Sequence, residues 1–380
     1  MRILSLFSGI GVAEAYFKRY GIEVAVANEK DSRRAELFQK IYPHVDMITG
    51  DITHPNVFQE VEKLSKKHKI DTILATPPCQ GMSRAAGKPK VGDERNNLII
   101  PVLELITKLN PRYVLIENVK NLIEVEIIYK KQWIKVKELL DKLFKDSYHI
   151  EIKIVDIKNY DIPQSRIRAI ILMTSRSVDR KLDFPRPALK LKTLDDVIGQ
   201  LPSLDPFVKD TTEVMRNKIF PDFEIKKGIA GQFSIWHKPP THILRQVQAM
   251  MHTPTGRSAF ENEIYYPKTA DGKKVSGYLS TYRRLRWDRP ASTVTMDNRK
   301  ISSQNNVHPG RLLRLAKCGT QIYSDARCLT TYELMKTMTL PEEWPVPGNT
   351  PEAFLRSVIG EGIPPIFILQ IFNSVIGNDL

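Results

Sequence analysis

Short apolar runs and amphipathic stretches alternate through the first half of the chain. Residues 3–7 are an apolar run ended by Ser-Gly, and residues 12–20 after it are amphipathic. Residues 23–28 predict a second strand and residues 32–41 a helix. Four more apolar segments, 71–75, 113–117, 151–156 and 167–173, predict strands; 56–67, 98–109 and 133–144 between them have helical spacing. Alternating β and α units of this size predict an α/β fold, a doubly wound and mostly parallel sheet. From about Thr174 to residue 280 the pattern breaks into turn-rich punctuation (PRPALK, LPSLDPF, KPPTH, HTPTGR, ADGKKVSGY), which predicts a smaller, loop-rich domain of mixed or β character. Residues 329–339 and 365–376 predict helices again, with 360–365 as a loop before the last. The expected division is a first domain over 1–175, a second over 176–350, and a segment 351–380 that returns to the first.

Composition narrows the class. The chain has 380 residues, 42% of them hydrophobic, enough for a sizeable core. No apolar run approaches the ~18–20 residues that span a bilayer. The longest, 363–372, is broken by two prolines and a glutamine. The start, MRILSLFSGIG, lacks a cleavage site and predicts a strand and not a signal peptide. Three cysteines (Cys79, Cys318, Cys328) are too few for a disulfide framework or a zinc site. These features predict a cytoplasmic protein with no membrane partner and no metal. The net charge of +14 calls for a polyanionic partner. Residues 281–314 hold eight Lys/Arg against two Asp, interleaved with Tyr282, Trp287 and His308, a pattern suited to phosphate contacts.

The strand ends carry the chemistry. Phe7-Ser-Gly-Ile-Gly11 is a glycine-containing turn that lets backbone approach a ligand. The second strand ends at Asn28-Glu29, where a carboxylate can hold ribose hydroxyls. Gly50-Asp51-Ile52 places another acid at the next edge, either as a local cap or on an adenine amino group. Together the three describe an adenosine-type site consistent with S-adenosylmethionine. The strand over 71–75 runs out at Ala75 into Thr-Pro-Pro-Cys-Gln-Gly-Met-Ser83, which presents Cys79 at the carboxyl edge of the sheet. A thiolate there can add to an electron-poor carbon. The polar stretch 81–97 reads as a mobile loop able to close over a substrate. Strand 113–117 ends in Glu117, an acid expected in a largely apolar setting and able to hold a proton. Gln164, Arg166 and Arg168 alternate at strand period and are expected on one face.

These segments, in this order, resemble the cytosine-5 DNA methyltransferase family of the bacterial restriction-modification type. FSGIG, Glu29, Asp51, PPCQGMS, IENV, QSRIR, RPASTVT and GEGIPP match its motifs over nearly the whole chain apart from 174–280. One departure stands out: Glu361 occupies a position where the family usually has Asn. The resemblance implies methyl transfer from S-adenosylmethionine to carbon 5 of a cytosine flipped out of duplex DNA. It implies Cys79 as nucleophile, Glu117 at ring nitrogen 3, Arg168 at the ring carbonyl, and Arg166 and Gln164 in support. It implies that Phe7, Ser8, Gly9, Gly11, Glu29, Asp51, Ile52, Pro78 and Glu361 hold the cofactor. Gln80, Ser83, Arg283, Arg284 and Arg289 are the expected DNA contacts, with base readout in 174–280. The implied partners are double-stranded DNA and a cognate restriction endonuclease acting on the same site. A tRNA cytosine methyltransferase and a catalytically silent DNA-binding module are the alternatives.

Overall fold

In a computed structural model of the chain, which describes residues 1–78, 97–277, 280, 282–301 and 305–377, the alternation becomes one seven-stranded sheet with helices on both faces. Its strands are β1 (Arg2–Leu6), β2 (Glu23–Glu29), β3 (Asp46–Thr49), β4 (Thr72–Ala75) and β5 (Tyr113–Asn118). A hairpin of β6 (Glu126–Tyr129) and β7 (Gln132–Lys135) stands outside it, and β8 (Tyr148–Asp156) and β9 (Ile167–Ser175) complete it. The helices among them are α1 (Ser32–Ile41), α2 (Pro55–His68), α3 (Ile99–Leu109) and α4 (Val136–Phe144). Further on come α5 (Leu194–Ile198), β10 (Phe207–Val208), α6 (Glu213–Ile219), α7 (Phe223–Phe233), β11 (Thr241–His242) and α8 (Leu244–Met251). The chain ends with β12 (Leu312–Leu315), β13 (Gln321–Tyr323), α9 (Thr331–Thr337), α10 (Glu352–Glu361) and α11 (Pro365–Ile376).

The strand order is β3-β2-β1-β4-β5-β9-β8, with β1 to β5 parallel and β9 antiparallel to both neighbours. The chain winds outward from β1 to β3, then returns to lay β4 on the other side of β1. That reversal opens a crevice at the carboxyl ends of β1 and β4, where doubly wound sheets take their ligands.

Side chains alternate across the strands and divide the core in two. Ile73, Ile116, Ile171 and Met173 face α3 and α4 through Val102, Leu105, Leu139 and Leu140. Leu74, Leu115, Ile170 and Leu172 face α11 through Phe367, Ile368 and Phe372. Each fully buried side chain of this kind contributes ~1.5–3 kcal/mol, so packing holds α11 on the sheet. A third cluster joins Ile10, Val12, Leu37 and Ile41 to Leu194, Met338, Leu355 and Ile359, docking the later region on the first turn and α1. Residues 208–328 share a smaller apolar cluster around Val247, Met250 and Val307.

Four expectations need correction. Residues 12–20 do not form an amphipathic helix but turns and a 3-10 segment, Phe17–Tyr20, with bonds such as Phe17 N–H to the Glu14 carbonyl. Val12 serves one core and Ala13 and Phe17 another, which a single helical stripe cannot do. The helix expected over 133–144 begins only at Val136; before it runs the β6–β7 hairpin, turned by Lys130 and Lys131 at φ 48° and 68°. The region 174–280 holds four helices and only two two-residue strands among its described residues, so its character is helical and looped. Gly360 and Glu361 close α10 instead of lying in a loop.

Candidate active site

The turn after β1 is built for close approach. Phe7 and Gly9 both sit at φ 57° and Gly11 at 81°. A Cβ on Gly11 would overlap the Tyr42 ring, whose hydroxyl donates to the Gly11 carbonyl at 2.5 Å, so no other residue fits there. The Ser8 N–H and hydroxyl donate to the Asn28 carbonyl at 3.1 and 3.3 Å, tying the turn to the end of β2. The next residue, Glu29, is buried, and its two carboxylate oxygens accept the N–H groups of Gly9 and Asp31 at 2.9 Å each. Each oxygen keeps an acceptor site, enough for a pair of hydroxyls. A Cβ on Gly9 would meet nothing within 4 Å, so the turn faces open space. These residues fit an adenosine-type ligand.

Asp51, at the exit of β3, accepts the Thr53 N–H and hydroxyl at 3.0 and 2.8 Å and pairs with Lys30 at 2.8 Å. Burial works against its charge, but these donors outweigh it and hold the pKa down to about 2. The carboxylate thus caps its own turn. Ile52 beside it belongs to the main core. Glu361 closes a two-pronged ion pair with Arg34 of α1, at 2.7 and 3.0 Å. Burial raises its pKa against the pull of Arg34, and Glu29 and Asp31 add to the rise. A Cβ on Gly362 would overlap Val12, so the segment after α10 lies on the glycine turn.

The exits of β4 and β5 lie side by side. Thr76 donates to the Phe7 carbonyl at 3.1 Å, and Asn118 donates to the Pro77 carbonyl at 2.9 Å. Pro78 is exposed at this edge. Cys79, Gln80, Ser83 and the rest of the expected loop through residue 96 lie outside the described residues. Glu117 is 8% exposed, yet its setting is not apolar: the Arg168 Nε lies 2.7 Å from its Oε1.

Gln164 and Arg166 make other contacts than Arg168. Gln164 is fully buried, accepts the Val294 N–H at 3.1 Å and donates to the Met338 sulfur. Arg166 donates to the carbonyls of Val294, Gly360 and Glu361 at 2.9, 3.4 and 3.0 Å. Both precede β9, and Gln164 forms a parallel bridge with Ala291. They fasten RPASTVT and the end of α10 to the segment that leads into β9.

Arg284 requires the plainest correction. It is buried, and its guanidinium donates to the carbonyls of Met250, His308, Ser324 and Asp325 at 2.8–3.2 Å, so it cannot reach a phosphate. Arg283 is half-buried and donates to the Gly256 carbonyl at 3.1 Å. Arg289 is exposed. Two residues beyond the expected set complete the site: Asn118, adjacent in sequence to Glu117, and Arg34, which no local signal connects to Glu361. Among the described residues, no group of three or more His, Cys, Asp or Glu is placed to hold a metal.

A doubly wound sheet with an adenosine-type turn at its switch point and an acid–arginine pair at the next strand edge is that of a methyltransferase. The chain belongs to the C-5 cytosine-specific DNA methylase family, whose model matches residues 1–377. It is 40% identical to the Type II methyltransferase M1.HgaI of Avibacterium volantium over 99% of this chain and 98% of that protein. It is 30% identical to M.FnuDI of Fusobacterium nucleatum, over 75% and 81% of the two chains. Among solved structures, Spodoptera frugiperda DNMT2 has the same fold, with a TM-score of 0.57 and 15% identity over 99% of both chains. Entamoeba histolytica EhMeth does too, at 0.58 and 14% over 98% and 97%.

Proposed function

We propose that this enzyme takes its methyl group from S-adenosylmethionine and places it on carbon 5 of a cytosine flipped from a specific duplex sequence, as the modification half of a restriction-modification system. The observation that carries the site assignment is the Arg168–Glu117 pair at the carboxyl edge of β5, one strand from the Pro77–Pro78 exit that leads into Cys79. In this reading Glu29 and Asp51 hold the adenosine of the cofactor against the Phe7–Gly11 turn and Ile52, with Pro78 and Glu361 on its flanks. Bound there, S-adenosylmethionine supplies an electrophilic methyl group.

The chain's own residues must make carbon 5 nucleophilic. The Cys79 thiolate adds to carbon 6, and the displaced electron density reaches carbon 5 and ring nitrogen 3. Glu117, carrying a proton, donates it to ring nitrogen 3 as charge builds there, and Arg168 holds both Glu117 and the ring carbonyl oxygen. After methylation, loss of the carbon 5 proton and elimination of the Cys79 thiolate restore the ring. Gln164 and Arg166 keep this edge registered against residues 290–295. Residues 174–280 read the base sequence, while Gln80, Ser83, Arg283 and Arg289 contact the duplex. A tRNA methyltransferase or a silent binding module fits less well, since the relative at 40% identity is a Type II methyltransferase.

Bisulfite sequencing of DNA from a host expressing the chain tests this reading. Full conversion protection at the same cytosine of one recurring sequence is expected. Uniform conversion at every cytosine, from a host in which the protein is folded and abundant, would overturn it.

A further inference from the structure

The β6–β7 hairpin is not used by the chemistry above, and it has an unusual surface. Its strands pair Ile127 with Ile134 and Ile128 with Trp133. The first pair faces inward: Ile127 is buried, and Ile134 and Tyr129 pack on the main core. The second pair faces outward, with Ile128 44% and Trp133 51% exposed. The hairpin therefore carries an aromatic–aliphatic patch into solvent.

Its turn is equally unusual. Lys130 and Lys131 both hold positive φ, a conformation that asparagine and glycine adopt at little cost and that lysine adopts at ~1 kcal/mol or more per residue. Neither lysine enters an ion pair among the described residues, and both are exposed. The hairpin carries three lysines (130, 131, 135) against one glutamate. An apolar patch alone would suit a protein surface. Capped by two exposed cations outside any ion pair among the described residues, one of them over the Tyr129 ring at 5.5 Å, it suits a polyanion with apolar edges.

The arm stands beside the reaction edge. It is separated from Asn118 at the end of β5 only by the short helical turn Lys120–Glu124. The Ile128 N–H also donates to the Asn97 Oδ1 at 3.4 Å. We propose that the β6–β7 hairpin is a DNA-contacting arm. Lys130 and Lys131 meet backbone phosphates flanking the target, and Trp133 with Ile128 packs on deoxyribose and base edges. The inference rests on the DNA methyltransferase reading.

Anisotropy titrations of the full chain with a labelled target duplex, over a range of salt, test it. K130A/K131A should raise Kd and flatten the dependence of log Kd on log salt by one to two units, because each phosphate contact contributes about one. K130E/K131E should weaken binding further. W133A should weaken binding several-fold while W133F retains it, with unchanged thermal melts in every variant. Wild-type Kd and salt slope in all variants, against a wild type that binds duplex, would overturn the arm and leave the enzymatic reading intact. A changed oligomeric state in W133A with unchanged DNA binding would also overturn it, in favour of a second copy of the chain. A wild type that binds no duplex would instead sink the reading beneath both.

Discussion

The Arg168 guanidinium reaches across from the start of β9 to the end of β5 and lies 2.7 Å from the Glu117 carboxylate. Both side chains are largely buried, at 15% and 11% side-chain exposure, so each depends on the other for charge compensation. Glu117→Gln keeps the hydrogen-bonding shape and loses the charge. It should slow single-turnover methylation by ~10²–10⁴-fold, the range for a positioned acid–base group, with secondary structure unchanged. Arg168→Ala should slow it comparably and also lower the melting temperature, because it strands a carboxylate. Wild-type methylation rates in Glu117→Gln would remove this carboxylate from the mechanism.

Cys79→Ala should abolish methyl transfer and leave cofactor affinity near normal by calorimetry. A duplex with 5-fluorocytosine at the target should form a covalent adduct with the wild type, since the carbon 5 fluorine cannot leave. An adduct with the Cys79→Ala protein would show that another group is the nucleophile.

The two acids of the proposed adenosine site should separate in calorimetry. Asp51→Ala should weaken S-adenosylmethionine binding by ~1–3 kcal/mol, the range for hydrogen bonds to charged groups. Glu29→Ala should cost at least as much, because Glu29 also holds the Gly9 N–H and hence the turn. Unchanged affinity in both variants would mean that the adenosine lies elsewhere.

Neighbouring arginines should behave in opposite ways. Arg284→Ala removes a buried guanidinium and leaves four carbonyls short of a donor, so it should destabilise the fold by ~2–5 kcal/mol. Arg289→Ala should leave the melting temperature alone and flatten the salt dependence of DNA binding by about one unit. Thermal melts and salt titrations of the two variants side by side decide this.

Glu14 supplies a pH signature. It is buried beneath the glycine turn, accepts a hydrogen bond from Ser5, and burial pushes its pKa up to about 7. The folded state therefore holds this proton more tightly than the unfolded chain does. The resulting stability is complete below pH ~4.5 and is lost as pH rises through about 7. Wild type should lose about 2 kcal/mol relative to Glu14→Gln between pH 5 and pH 8, at 1.36 kcal/mol per pH unit over the affected range. Parallel denaturation curves for the two proteins across this range would contradict the assignment.

What the chain itself determined is local. Apolar periodicity located α1 and α11 to the residue, and the strands that carry the site motifs apart from β3, to which it assigned no span, because burial of one face follows from spacing alone. The strand-end motifs placed Glu29 and Glu117 at one edge, since parallel strands joined by helices all point their carboxyl ends the same way; Arg168 reaches that edge from the start of β9, which runs antiparallel. Which partner a polar side chain finds was beyond that logic. An arginine in a basic run satisfies its donors equally well with water or with buried carbonyls, and only the packing of residues 250, 308, 324 and 325 around Arg284 chose the second. Arg34 and Glu361 meet across 327 positions, and Arg166 meets Gly360 and Glu361 across 194 and 195. Lys-Lys carries no turn signal, so residues 133–135 of the hairpin have the spacing of a helix start, and only the packing of Ile127 and Ile134 on the core makes them a strand. Spacing reports which side of an element is apolar; the identity of the group facing each charge is a property of the folded chain.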